Sequence, residues 1–100
     1  MTRVLLEQRG NRFTVSCQGH ATGSQDVCAA ASCLIYTLAG WLRNQPGVKA
    51  IKAEMDEDAS AAFEFCGGDS AQVAFDLICT GFLQLELTSP EHISVTLNVI

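Results

Sequence analysis

The segment from Val27 to Arg43 constrains the fold more than any other. Val27, Ala31, Leu34, Ile35, Leu38 and Leu42 recur there at three- and four-residue spacing, which is one face of an α-helix, and Pro46-Gly47 ends the pattern. A helix with one apolar stripe needs a surface to cover, and the segments around it are strand-like. Upstream, Phe13, Val15 and Cys17 alternate with Arg12, Thr14 and Ser16, and Gly10-Asn11 supplies hairpin chemistry after Val4-Leu5-Leu6-Glu7. Downstream, Val48 to Met55 and Ala61 to Cys66 read as a second hairpin joined by the acidic Asp56-Glu57-Asp58. Gly67-Gly68 breaks that run, and Asp69-Ser70 is placed to cap a second helix through Val73, Ala74, Leu77, Ile78 and Leu85, closed by Ser89-Pro90. Ile93, Val95, Leu97 and Val99 then alternate with Ser94, Thr96 and Asn98 as a last strand. The order ββαββαβ predicts an α+β fold with two helices layered on a mostly antiparallel sheet.

At 100 residues and 48% hydrophobic content, the chain can close one core, so residues 1–100 are expected to form a single domain. No apolar run is long enough to span a bilayer, and the N-terminal stretch Met1 to Glu7 meets a charge too early for a secretory signal, so a cytoplasmic protein without a membrane partner is expected. Five cysteines are an odd number and lack C-x-x-C pairing, which favours reduced thiols over a disulfide framework. A formal charge of −5 with six Lys and Arg argues against direct nucleic-acid binding and suits a basic partner.

The second helix is apolar on more than one side, because Phe75, Cys79 and Phe82 fall on a different face from Val73, Leu77 and Ile78. One stripe can meet the sheet. The other is covered either by a second copy in a homodimer or by the rest of a single chain.

The chemistry concentrates between residues 19 and 32. With a helix start around Ser24 to Asp26, Cys28 falls in the first turn, where exposed N–H groups and the helix dipole favour a thiolate and could hold a developing oxyanion. His20, on the preceding loop, is placed to accept the thiol proton and later protonate a leaving amine. Ala29-Ala30-Ala31 leaves room for a peptide beside the sulfur, and Ser32 lies one turn on along the same face. The plainer alternative makes Cys28 inert core filler and His20 a solvated loop residue. A metal site from Cys17, His20 and Cys28 lacks a clear fourth ligand, so no metal or other cofactor is expected. Cys33, Cys66 and Cys79 read as core packing, His92 as solvated, and the cluster Glu54, Asp56, Glu57 and Asp58 as a solvated turn with a substrate-steering role as the lesser alternative. Alternation points Cys17 into the core with Phe13 and Val15, which disfavours it as a redox partner of Cys28.

Gly19-His20-Ala21, then Gly23, then Val27-Cys28-Ala29-Ala30 with Ser32 opening an apolar helix, resembles the ribosomal-processing cysteine protease family (Prp) of bacteria. The resemblance implies a homodimeric, metal-free cysteine endopeptidase with a Cys–His dyad. It further implies removal of a short N-terminal extension from a basic ribosomal protein precursor of the large subunit. Carried over, the catalytic pair is His20 and Cys28, and the supporting or substrate-binding positions are Gly19, Ala21, Gly23, Asp26, Ala29 and Ser32. The chain departs from the family pattern in a shorter loop between His20 and Gly23, which bears on substrate choice and gating. It also has Gln25, with Asp26 one place later, where the family carries an acid three residues before the nucleophile. The alternative from another class is a noncatalytic ribosome-associated interaction module with a buried, unreactive Cys28.

Overall fold

A computed structural model of the chain describes residues 1–19, 24–56 and 60–100. Strands β1 (Thr2–Arg9) and β2 (Arg12–Gln18) form the predicted hairpin, with Gly10 at φ +59° in its turn, a left-handed conformation that favours glycine. Helix α1 (Gln25–Arg43) crosses to β3 (Lys49–Met55), which pairs antiparallel with β4 (Ala61–Cys66). Helix α2 (Asp69–Thr88) then crosses to β5 (Ile93–Val99). The strands lie in the order β3-β4-β2-β1-β5, antiparallel throughout except for the parallel pair of β1 and β5. The α+β order ββαββαβ and the mostly antiparallel sheet are therefore as the sequence predicts.

One sheet face carries the core. Val4 and Leu6 of β1, Phe13, Val15 and Cys17 of β2, Ala61, Phe63 and Phe65 of β4, and Ile93 of β5 are all buried there. The stripe Val27, Ala31, Ile35, Leu38 and Leu42 of α1 and the stripe Ala71, Phe75, Ile78, Cys79 and Phe82 of α2 cover them. Phe13 ties the layers together, with ring centroids 5.3 Å from Phe65 and 4.9 Å from Phe75, and Trp41 of α1 meets Phe65 at 6.4 Å. The helices approach closely at Gly81, where a Cβ would come within 2.6 Å of Leu34 Cδ2. Among the described residues no helix is long and apolar enough to cross a membrane.

Four expectations need correction. Gly68, not Asp69-Ser70, is the N-cap of α2, and it makes no side-chain capping bond. The chain passes close at Gly67, where a Cβ would lie 3.0 Å from Ala71 Cβ and 3.2 Å from Val48 Cγ2, and the helix starts immediately after the glycine pair. Of the α2 stripes, Phe75, Cys79 and Phe82 meet the sheet together with Ile78, which sequence spacing grouped with the other face, while Val73 and Leu77 are 65% and 68% exposed. Cys33 is exposed and Cys66 half-buried rather than core, because Cys33 falls on the side of α1 opposite its buried stripe. In β5, Ile93 is buried but Leu97 and Val99 are exposed, since the helices cover only the start of this edge strand.

Candidate active site

Ser24 sets the start of α1. Its backbone is extended at φ −139° and ψ 105°, and its Oγ accepts the Val27 N–H at 3.3 Å, satisfying one of the helix's terminal donors. The Cys28 N–H donates to the Ser24 carbonyl oxygen at 3.4 Å, the long end of the hydrogen-bond range. Cys28 therefore stands in the first turn, as its sequence position suggests. Its side chain is half-buried and packs against the core from the edge, so it is neither core filler nor fully solvated.

A cleft opens beside it. Thr2 from the start of β1, Cys17 and Gly19 from the end of β2, Cys28, Ala31, Ser32, Ile35 and Tyr36 from α1, Met55 and Asp56 from the end of β3, and Ser60 and Ala61 before β4 form its walls. Five segments distant in sequence converge because β1, β2, β3 and β4 bring corresponding ends to one side of the sheet, where α1 begins. All five cysteines are thiols. Burial, reinforced by the neighbouring Cys28, pushes the Cys17 thiol above the ordinary range, so it stays protonated while sharing the cleft.

Gly19 explains itself structurally. It has φ +83°, and a Cβ there would sit 2.8 Å from the Met1 carbonyl oxygen. The left-handed turn brings the chain out of β2 against the N-terminus, where Thr2 Oγ1 donates to the Gly19 carbonyl at 3.4 Å.

Of the residues singled out from sequence, Cys28, Gly19 and Ser32 line the cleft. Asp26 and Ala29 are exposed on the first turns of α1 and do not line it. His20, Ala21 and Gly23 lie outside the described residues, as do Glu57 and Asp58 of the acidic cluster. Among the described residues no group of three His, Cys, Asp or Glu side chains is arranged to hold a metal ion. Asp56 stands on the cleft wall, which sequence could place only on a solvated turn, and Glu54 is exposed on the adjoining strand. Sequence reasoning missed Thr2, Tyr36, Met55 and Ser60 altogether. Pairing register alone could have found Thr2, Met55 and Ser60, because nothing local marks Thr2 as a neighbour of Cys28, whereas Tyr36 follows Cys28 and Ser32 at four-residue spacing along α1.

No protein-family model matches the chain, and no curated protein sequence matches it. Solved structures do. The chain is similar to SMU.848 from Streptococcus mutans at TM-score 0.79 and 22% identity, covering 100% of this chain and 96% of that one. It is also similar to the essential ribosomal processing protease Prp from S. aureus, solved with a covalently linked product peptide, at TM-score 0.78 and 18% identity over 97% of this chain and 99% of that one. A structure of the same protease with a substrate peptide matches at TM-score 0.74 and 17% identity, again covering 97% and 99%. The chain thus has the fold of that protease along nearly its whole length.

Proposed function

We propose that this protein is a cysteine endopeptidase in which Cys28 is the nucleophile and His20 its partner, acting on a basic ribosomal protein precursor to remove a short N-terminal extension. The observation that carries the reading is the position of Cys28: a half-buried thiol on the first turn of α1, lining a cleft, in a fold shared with a peptide-processing protease. In this scheme His20 takes the Cys28 proton, and Cys28 Sγ attacks the scissile carbonyl to form a C–S bond and an oxyanion. The first-turn N–H groups stabilise that oxyanion. The Cys28 N–H is suited to this, because its 3.4 Å bond to Ser24 is weak enough to be exchanged for a charged acceptor. Collapse breaks the C–N bond as His20 protonates the leaving amine, and water, deprotonated by His20, then cleaves the thioester.

The whole of residues 1–100 acts as one peptidase unit in this account, in the cytoplasm and without a metal. A second copy covers the exposed stripe of α2. Val73 and Leu77 form an apolar groove with Leu38 and Trp41 of α1, and a twofold interface would bury it on both protomers. Gly23, Ala21, Asp26 and Ala29 stay in the account as supporting positions around the substrate's approach.

Cleavage of peptides that join a short extension to a basic N-terminus tests this directly. Wild type should cut them and Cys28→Ala should not, by a loss of several orders of magnitude. Equal cleavage by both would give the activity to another source and leave the interaction module as the better reading.

A further inference from the structure

The two edges of the sheet are treated differently. At β5, the outer edge is occupied where the helix layer begins: the Val95 N–H donates to Glu86 Oε2 of α2 at 2.7 Å, and the Ile93 N–H to the Ser89 carbonyl at 3.3 Å. At β3, all seven residues are exposed, and no described strand lies beyond it. An open edge of this kind invites another strand unless it is blunted.

β3 is blunted only in its first half. A register shift falls between Ala50 and Lys52, so Ile51 is bulged out, and Lys49 and Lys52 stand on either side. From Lys52 to Met55 the ladder with β4 is regular, and this half runs to the Cys28 cleft, whose wall includes Met55 and Asp56. The Asp56 N–H donates to the Ser60 carbonyl at 2.8 Å. Because antiparallel ladders alternate, Glu54 and Lys52 also face β4, and the backbone N–H and C=O groups of Ala53 and Met55 face outward. The side chains of Ala53 and Met55 share the helix-side face with their partners Phe63 and Ala61, and a groove between β3 and α1 passes over Ala53, Met55 and Phe63 beside Ala39 and Leu42.

We infer that an extended peptide docks along Ala53 and Met55 as a sixth strand of the sheet, delivering its backbone to the Cys28 cleft. Alternate side chains of the peptide fall into the mainly apolar groove against α1, which Arg43 also lines, and Asp56 at the cleft end favours a peptide with a basic residue there, Glu54 being already paired with Lys52 at 3.7 Å. The inference rests on the proposed peptidase reading for its occupant, and it names how that occupant is held.

The test uses a nonapeptide of alternating valine and lysine with a central cysteine activated as its 2-pyridyl disulfide, coupled to a Cys33→Ser background. The Cys28 thiolate attacks the activated disulfide, the protein–peptide S–S bond forms, and 2-thiopyridone leaves with the electron pair. Amide hydrogen exchange is then followed residue by residue. The Ala53 and Met55 amides are expected to slow by about tenfold or more on coupling. A peptide N-methylated at alternate positions should lose that protection. Ala53→Pro, which removes an outward N–H without touching the ladder to β4, should lose it as well, read at the Met55 amide. Unchanged exchange at Ala53 and Met55, or equal protection by the N-methylated peptide, would each overturn the docking. Protection without any Cys28-dependent cleavage would keep the docking and remove the peptidase, so the two readings fail separately.

Discussion

Cys17 and Cys28 share one cleft, close enough that charge on Cys28 helps push the already buried Cys17 thiol above the ordinary range. Cys17 is thus ill-suited to act as a nucleophile near neutral pH. Iodoacetamide followed by peptide mapping should label Cys28 and spare Cys17 until denaturant is added, by about tenfold or more in rate. Faster labelling of Cys17 would contradict the burial that sets its protonation.

Gly19→Ala should be costly. The left-handed φ and the 2.8 Å approach to the Met1 carbonyl together give strain on the order of 1–3 kcal/mol. Urea unfolding should show a lower midpoint with an unchanged slope. An unaltered midpoint would mean that the turn after β2 can relax without loss.

The exposed α2 stripe gives a prediction about assembly. Leu77, 68% exposed and part of the groove with Trp41, should hold the second copy, so Leu77→Lys is expected to convert a dimer to a monomer in sedimentation while leaving the far-UV spectrum unchanged. A monomeric wild type, or a Leu77→Lys protein that still dimerises, would remove this interface from the account.

Hairpins, helices and their order were legible because β2 alternates strictly and α1 keeps its stripe for four turns, patterns that survive any tertiary context. Burial of particular positions was not. Phe75, Cys79 and Phe82 against Val73 and Leu77 are two comparable stripes, and the choice between them is made by tertiary packing, Phe75 against Phe13 of the sheet and Gly81 against Leu34 of α1. The exposed end of β5 was hidden for a similar reason, since alternation reports a face but not how far a helix extends over it. In the site, the first-turn position of Cys28 could be read from Ser24 and the apolar period. Thr2, Met55 and Ser60 could not, because they reach the cleft through strand register, which leaves no local trace in the sequence.

Stability should fall in alkali. Burial, with Asp76 nearby and a backbone hydrogen bond opposing, pushes the Cys79 thiol up to about 12, and Cys17 is raised as well. Both thiols stay protonated in the folded protein while the unfolded chain loses its protons from about pH 8.5 upward. In that interval the unfolded state binds fewer protons, so stability drops as pH rises towards the folded values, and below it this contribution is fully present. The thermal midpoint should decline between about pH 9 and 11, and Cys79→Ala should decline less steeply. A flat profile in wild type would mean that these thiols ionise without unfolding.

The rate of Cys28 alkylation against pH, in wild type and in His20→Ala, measures the central claim most directly. An activated pair predicts that Cys28 reacts faster at neutral pH than Cys17, Cys33, Cys66 or Cys79, and that removing His20 moves its profile to higher pH. Slow labelling of Cys28 in both proteins, with no change on removing His20, would contradict the account and make the thiol a structural residue of an interaction module.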